Sequence, residues 1–175
     1  MNERKSLSRI KSLTQIALVV AVMCVCAQIS FYVGIVPITA QTLVIAFSGY
    51  FLGFKRASAA VTVYLLLGAV GAPVFASFGG GFHVLISYTG GFLWGFIPYT
   101  MLCAVFNKSK LGIVFGILGM LICHALGVLQ YSLVSRTDIF VSFVVVSLPF
   151  LAKDVIFTVM AYFIAKKARK IIKLS

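Results

Sequence analysis

GAPVFASFGGGFHVLISYTGGFLWGF, residues 71–96, holds seven glycines and no Asp, Glu, Lys or Arg. Glycine lets a backbone turn where other residues are strained, yet the aromatic, uncharged side chains between these glycines suit burial rather than water. Non-helical backbone at membrane depth is tolerated only where protein buries it or where it lines a cavity. The stretch therefore predicts a membrane bundle with one end folded inward, and it raises the question of what that end encloses.

The rest of the chain supplies the membrane. Of 175 residues 62% are hydrophobic and 10% charged, with a mean hydropathy of +1.12. A soluble domain of this size needs far more polar surface, so the composition points to a polytopic membrane protein. At roughly 20 apolar residues per crossing, the sequence divides into six spans: 13–32, a second ending at Gly53 and starting within 35–41, 57–72, 83–105, 111–134, and a sixth ending at Ala165. The sixth begins between 140 and 150, where Pro149 is positioned to break a helix. The expected fold is thus an all-α integral membrane protein, a single membrane domain over 1–175 with basic tails at 1–12 and 166–175. The basic start followed by Leu13–Ala27 mimics a secretory signal, but further spans follow at once, which favours a retained first helix.

Lysine and arginine fix the orientation. With the N-terminus cytoplasmic, the inner side collects Arg4, Lys5, Arg9 and Lys11, then Lys55 and Arg56, Lys108 and Lys110, and the cluster from Lys166 to Lys173. Only Arg136 and Lys153 remain for the outer side, as the positive-inside rule demands. Both termini are then cytoplasmic and the outer connections are 33–41, 72–83 and 135–150, the first two without charge. The net charge of +12 punctuates apolar segments and forms no basic face with interleaved aromatics, which excludes nucleic acid as a partner. Cys24, Cys26, Cys103 and Cys123 lie in apolar stretches without disulfide or zinc spacing, and two isolated histidines make a poor metal site. Neither a metal nor a cofactor is expected.

Polar residues are scarce enough to be read singly. Glu3, Asp138 and Asp154 are the only carboxylates. Asp154 precedes Lys166 by twelve residues, about 18 Å along a helix, which puts it inside the bilayer. An intramembrane carboxylate is costly unless paired, and marks function by default. Its bland alternative is a structural pair with Lys153 or with a neighbouring helix. Gln41 opens the second span after Thr39, whose hydroxyl suits a helix cap, and Gln41 is a candidate ligand contact. Tyr88 and Thr89 precede Gly90 and Gly91; His124 sits mid-span, suited to an interhelical hydrogen bond or to a ligand. Ala17 and Ala21 form a small-residue face that Ala27 extends, and the same spacing recurs at Gly49/Gly53, Gly91/Gly95 and Gly112/Gly116. No G-x-x-x-x-G-K-[ST] loop or catalytic dyad is present.

VPITAQTLVIAFSGYFLG at 36–53, GAVGAPVFASFGGG at 68–81, TGGFLWGF at 89–96 and PFLAKD at 149–154 together resemble the BioY family, over nearly the whole chain. The resemblance implies a biotin-binding S component of an energy-coupling factor (ECF) vitamin transporter. Such a component binds biotin from outside and delivers it inward with a membrane coupling protein and two cytosolic ATPases. Carried onto this sequence, the family's pocket falls at Phe75, Gly79, Tyr88, Thr89 and Asp154, and its coupling-protein docking face at Ala17 and Ala21. The sequence departs from the family where Ala152-Lys153 replaces Pro-Gly before the aspartate, Ser87-Tyr88 replaces Gly-Pro before T-G-G, and Phe157 replaces a lysine. Lys153 is the nearest cation for the biotin carboxylate. An S component for another small vitamin, an integral membrane enzyme and a helix-packing subunit without a ligand are the competing readings. The first is separated by a vitamin panel; the others lack paired acids, or predict tolerance to Asp154→Asn.

Overall fold

The computed structural model describes residues 2–33 and 36–172. The tip of the first outer connection, Gly34 and Ile35, and the chain ends lie outside the described residues, with part of both predicted tails. The chain runs through helix α1 (Asn2–Gln28), a hairpin of β1 (Ser30–Val33) and β2 (Val36–Thr39), α2 (Gln41–Leu52), α3 (Phe54–Ala69), a short α4 (Phe82–Leu85), α5 (Gly90–Val105), α6 (Leu111–Ser135), α7 (Ile139–Val146) and α8 (Leu148–Ile172). Three of these are long and apolar enough to cross a bilayer: Ser6–Gln28, Leu111–Ser135 and Leu148–Ile172. Their outward faces carry exposed Leu18, Val25, Leu121, Leu133, Ile156 and Phe163, side chains that water would not tolerate in such a band. This is a helical membrane protein.

The shorter helices pack between the long ones. In α2, Val44, Ile45, Ala46, Ser48, Gly49 and Tyr50 are all buried; the helix lies against α1, α3, α5 and α8. Glycine sets the closest approaches. A Cβ at Gly95 would lie 2.7 Å from Cys123 Cα, and one at Gly91 would overlap the Leu126 carbonyl. The antiparallel pair α5–α6 therefore meets backbone to backbone, as small-residue faces permit in lipid. Gly112 and Gly116 similarly admit the Phe106 carbonyl and the Tyr50 hydroxyl. Gly53 differs: at φ +76° it makes the turn between α2 and α3 rather than a packing contact. Replacing Gly91 by valine is expected to destabilise the bundle by about 1–3 kcal/mol, read as a lower thermal midpoint in detergent.

Several boundaries depart from the sequence expectation, each for a local reason. The first helix stops at Gln28 rather than at 32 because Ser30–Thr39 pairs as a hairpin, with Phe31 opposite Ile38. Pro37 cannot join a helix interior but is accepted in a two-stranded ribbon. The third helix ends at Ala69, before Gly71 at φ +102°. The predicted fourth span is two helices, α4 and α5, because the chain doubles back between them. Gly90 has no room for a Cβ beside the Leu85 carbonyl, which accepts from Trp94 Nε1 and Gln130 Nε2. The added helix α7 is capped by Asp138, whose side chain accepts from the Phe140 amide at 2.8 Å. Pro149 lies in the first turn of α8, where it starts a helix instead of breaking one. Ala17 and Ala21 are exposed, whereas Ala27 is fully buried; six residues after Ala21 is about 240° further round the helix, so Ala27 does not extend that face.

Candidate functional site

One end of the bundle encloses a cavity of about 240 Å³, just below the usual range of about 300–1,000 Å³ for drug-sized ligand sites. Its wall comes from the hairpin and α2 (Thr39, Gln41, Thr42), from α5 and α6 (Phe92, Phe96, His124), and from α8 (Phe150, Lys153, Asp154). The glycine-rich connection closes it with Phe75, Ala76 and Gly79. That connection folds back tightly: the Phe75 amide donates to the Gly79 carbonyl at 2.9 Å, and Ser77 and Phe78 take left-handed φ values of 55° and 58°. A Cβ at Gly80 would lie 2.9 Å from the Ala72 carbonyl carbon. The tight fold that residues 71–81 need is what their glycines provide.

Asp154 is the centre of the cavity's polar chemistry and is only 3% exposed. Its Oδ1 accepts from Thr42 Oγ1 at 2.6 Å and from Lys153 Nζ at 2.5 Å; its Oδ2 lies 3.2 Å from His124 Nε2. The imidazole faces Ser147 Oγ at 2.8 Å through Nδ1. With Nε2–H donated to the carboxylate, Nδ1 is left to accept from that hydroxyl. Lys153 also donates to Thr42 Oγ1 at 3.2 Å and to the Thr39 carbonyl at 3.4 Å, with Nζ 4.9 Å from the Phe157 ring centre. A carboxylate buried without partners would be costly; this one is held by a cation and two further donors. A carboxylate offers about four lone-pair sites. Oδ2 meets a single donor, so it retains acceptor capacity.

Much of the remaining wall is aromatic and aliphatic, with Gln41 and Thr89 as further polar members, and beneath Asp154 buried side chains pack together. Thr158 Oγ1 donates to the Asp154 carbonyl at 2.6 Å, and Tyr99 OH meets Thr158 Oγ1 at 2.6 Å. Tyr50, Tyr99, Met120 and Cys103 are buried around that contact. Gln41 Nε2 donates to Tyr64 OH at 2.7 Å, and Tyr64 OH donates to the Val74 carbonyl at 3.0 Å. Gln41 therefore both lines the cavity and ties α2 through α3 to the connection that closes it.

The structure brings Gln41, Phe75, Gly79, Thr89, His124, Lys153 and Asp154 to one cavity. Tyr88 is not in its wall: the ring is 48% exposed and tilts against Tyr131, 5.9 Å between centres. Adjacent residues in a turn diverge, and Thr89 alone faces inward. His83 is exposed. His124, which has no acidic neighbour in sequence, gains one in space, because α6 and α8 pack side by side. Sequence reasoning missed Phe92, Phe150 and Ser147, which carry no signal in an apolar chain. It also missed Gln28, a lone amide near the end of an apolar helix and therefore detectable. Among the described residues no group of His, Cys, Asp and Glu could hold a metal ion.

A sequence model of the BioY family matches residues 1–174. Curated relatives include the biotin transporter BioY of Thermotoga maritima, 37% identical over 168 residues, covering 92% of this chain and 97% of the relative. The probable biotin transporter BioY of Pyrococcus horikoshii is 32% identical over 157 residues, covering 90% and 95%. Among solved structures, the S-component for biotin from an ECF-type ABC transporter superposes with a TM-score of 0.85 over 93% of each chain, at 23% identity. That likeness is one of fold.

Proposed function

The chain belongs to the BioY family, and from that premise we propose that it is the substrate-binding S component for biotin uptake, seated in the cell membrane. One observation carries the reading: a single buried carboxylate, held by Thr42, Lys153 and His124, faces a small cavity that is otherwise largely apolar. Biotin offers an apolar bicycle and chain, a ureido group with two N–H donors, and a carboxylate. The open acceptor capacity on Asp154 Oδ2 suits a ureido N–H; Phe92, Phe96 and Phe150 suit the bicycle; Lys153 suits the carboxylate.

In this reading α1, α2, α3, α5, α6 and α8 are the six crossings, both termini are cytoplasmic, and the glycine-rich cover faces outward. The charge asymmetry of the sequence supports that orientation. A membrane coupling protein docks on the exposed Ala17 and Ala21, and two cytosolic ATPases supply the energy. Catalysis is no part of the chain's role, and no cofactor serves it.

Isothermal titration of the purified protein with biotin tests the proposal, alongside a panel of other small vitamins. Saturable one-to-one binding of biotin alone supports it; selective binding of another vitamin would reassign the substrate, and no binding of any would remove the ligand site. Lys153→Ala is expected to lower biotin affinity about tenfold or more, the range of one hydrogen bond to a charged group. Unchanged affinity in that variant would count against Lys153 as the carboxylate's partner.

A further inference from the structure

We infer that Gln28, at the end of α1 and outside the cavity wall, is a positioning residue that holds the pocket's cover closed. The inference rests on the biotin-binding reading above and adds to it a residue that touches no ligand. Gln28 Oε1 accepts from the Phe78 amide at 2.8 Å, while its Nε2 donates to the Phe75 carbonyl at 3.1 Å and lies 3.4 Å from the Pro73 carbonyl. The same nitrogen is 3.2 Å from the Cys24 carbonyl within α1. The amide's orientation is unambiguous, because a backbone N–H can only donate and a carbonyl only accept.

Three backbone groups of residues 73–78 thus converge on one side chain. The segment they belong to places Phe75 and Ala76 against the cavity, and it needs holding. Its backbone passes through left-handed φ at Ser77 and Phe78, neither of them glycine, a conformation that persists only where the surroundings impose it. Phe75 itself packs edge-on against Tyr64, 5.6 Å between ring centres, so the cover has an apolar hold from α3 and a polar hold from α1. Ser30 Oγ lies 3.5 Å from Ser77 Oγ beside the clasp. A ligand that binds only under a closed cover has an apparent affinity reduced by the fraction of time the cover is open. Removing the polar hold therefore acts on binding without changing any wall residue.

The test is Gln28→Leu, which keeps bulk on α1 and removes both hydrogen-bonding functions. Biotin is expected to bind about tenfold more weakly, with the loss appearing as faster dissociation in competition with excess unlabelled biotin. A merely structural loss would lower the fraction of protein able to bind and leave the affinity and dissociation rate of that fraction unchanged. Binding within twofold of the unsubstituted chain would overturn the inference. Hydrogen exchange of the Phe78 amide provides a readout that needs no ligand. It is expected to be slower in the unsubstituted chain than in Gln28→Leu, or in Gln28→Asn should the leucine variant not fold. Equal exchange would also overturn the clasp. Failure of the unsubstituted chain to bind biotin at all would instead remove the substrate assignment, and the exchange comparison would still decide the clasp.

Discussion

Replacing Asp154 by asparagine is expected to weaken biotin binding at least about a hundredfold, a loss of about 2.7 kcal/mol. Two effects act in the same direction. The carboxylate is the acceptor for Thr42, Lys153 and His124, and an amide of the same shape replaces one oxygen with a donor. It also removes the counter-charge of Lys153, whose side chain is 21% exposed. Breaking one side of a buried ion pair typically costs 3–5 kcal/mol; the partial exposure of Lys153 puts the stability loss at the low end. Titration calorimetry in detergent reads the affinity and a thermal melt reads the fold. A variant that binds biotin within threefold of the unsubstituted protein would show that Asp154 has no part in recognition, and a lowered melt in that variant would mark it as a structural group.

Ala17→Trp and Ala21→Trp are expected to do the reverse: to abolish uptake while leaving biotin binding intact. Both alanines are exposed on α1, eleven and seven residues before Gln28, and neither lines the cavity. Small residues allow helices to approach until backbones touch, and an indole there would hold a partner helix several ångströms away. The measurement is accumulation of labelled biotin in cells carrying the proposed ATPases and coupling protein, set beside titration of the purified variants. Loss of binding would count against separate surfaces for substrate and coupling protein; normal uptake would count against docking at this face.

Much of the site could be read in the sequence because polar residues in a membrane chain are few and each must be accounted for. Asp154 stood out as one of three carboxylates, and the glycines of 79–81 announced folded backbone at an apolar end. The same scarcity hid other parts. In a soluble helix an apolar stripe separates the buried face from the exposed one; here both faces are apolar, so nothing distinguished Phe92, which lines the cavity, from Trp94, which is partly exposed. Ala27 was grouped with Ala17 and Ala21 on residue type, and the helical angle separates them. The hairpin at 30–39 and the added helix α7 escaped because runs such as FVSFVVV serve a strand or a helix equally well. The ion pair between Lys153 and Asp154 is local, but the approach of His124 depends on two helices meeting, which no spacing encodes.

The packed layer of Tyr50, Tyr99, Met120 and Thr158 under the aspartate gives the cavity a floor. Close-packed side chains have little room to shift, so the polar groups above that floor stand ready in place before any guest arrives.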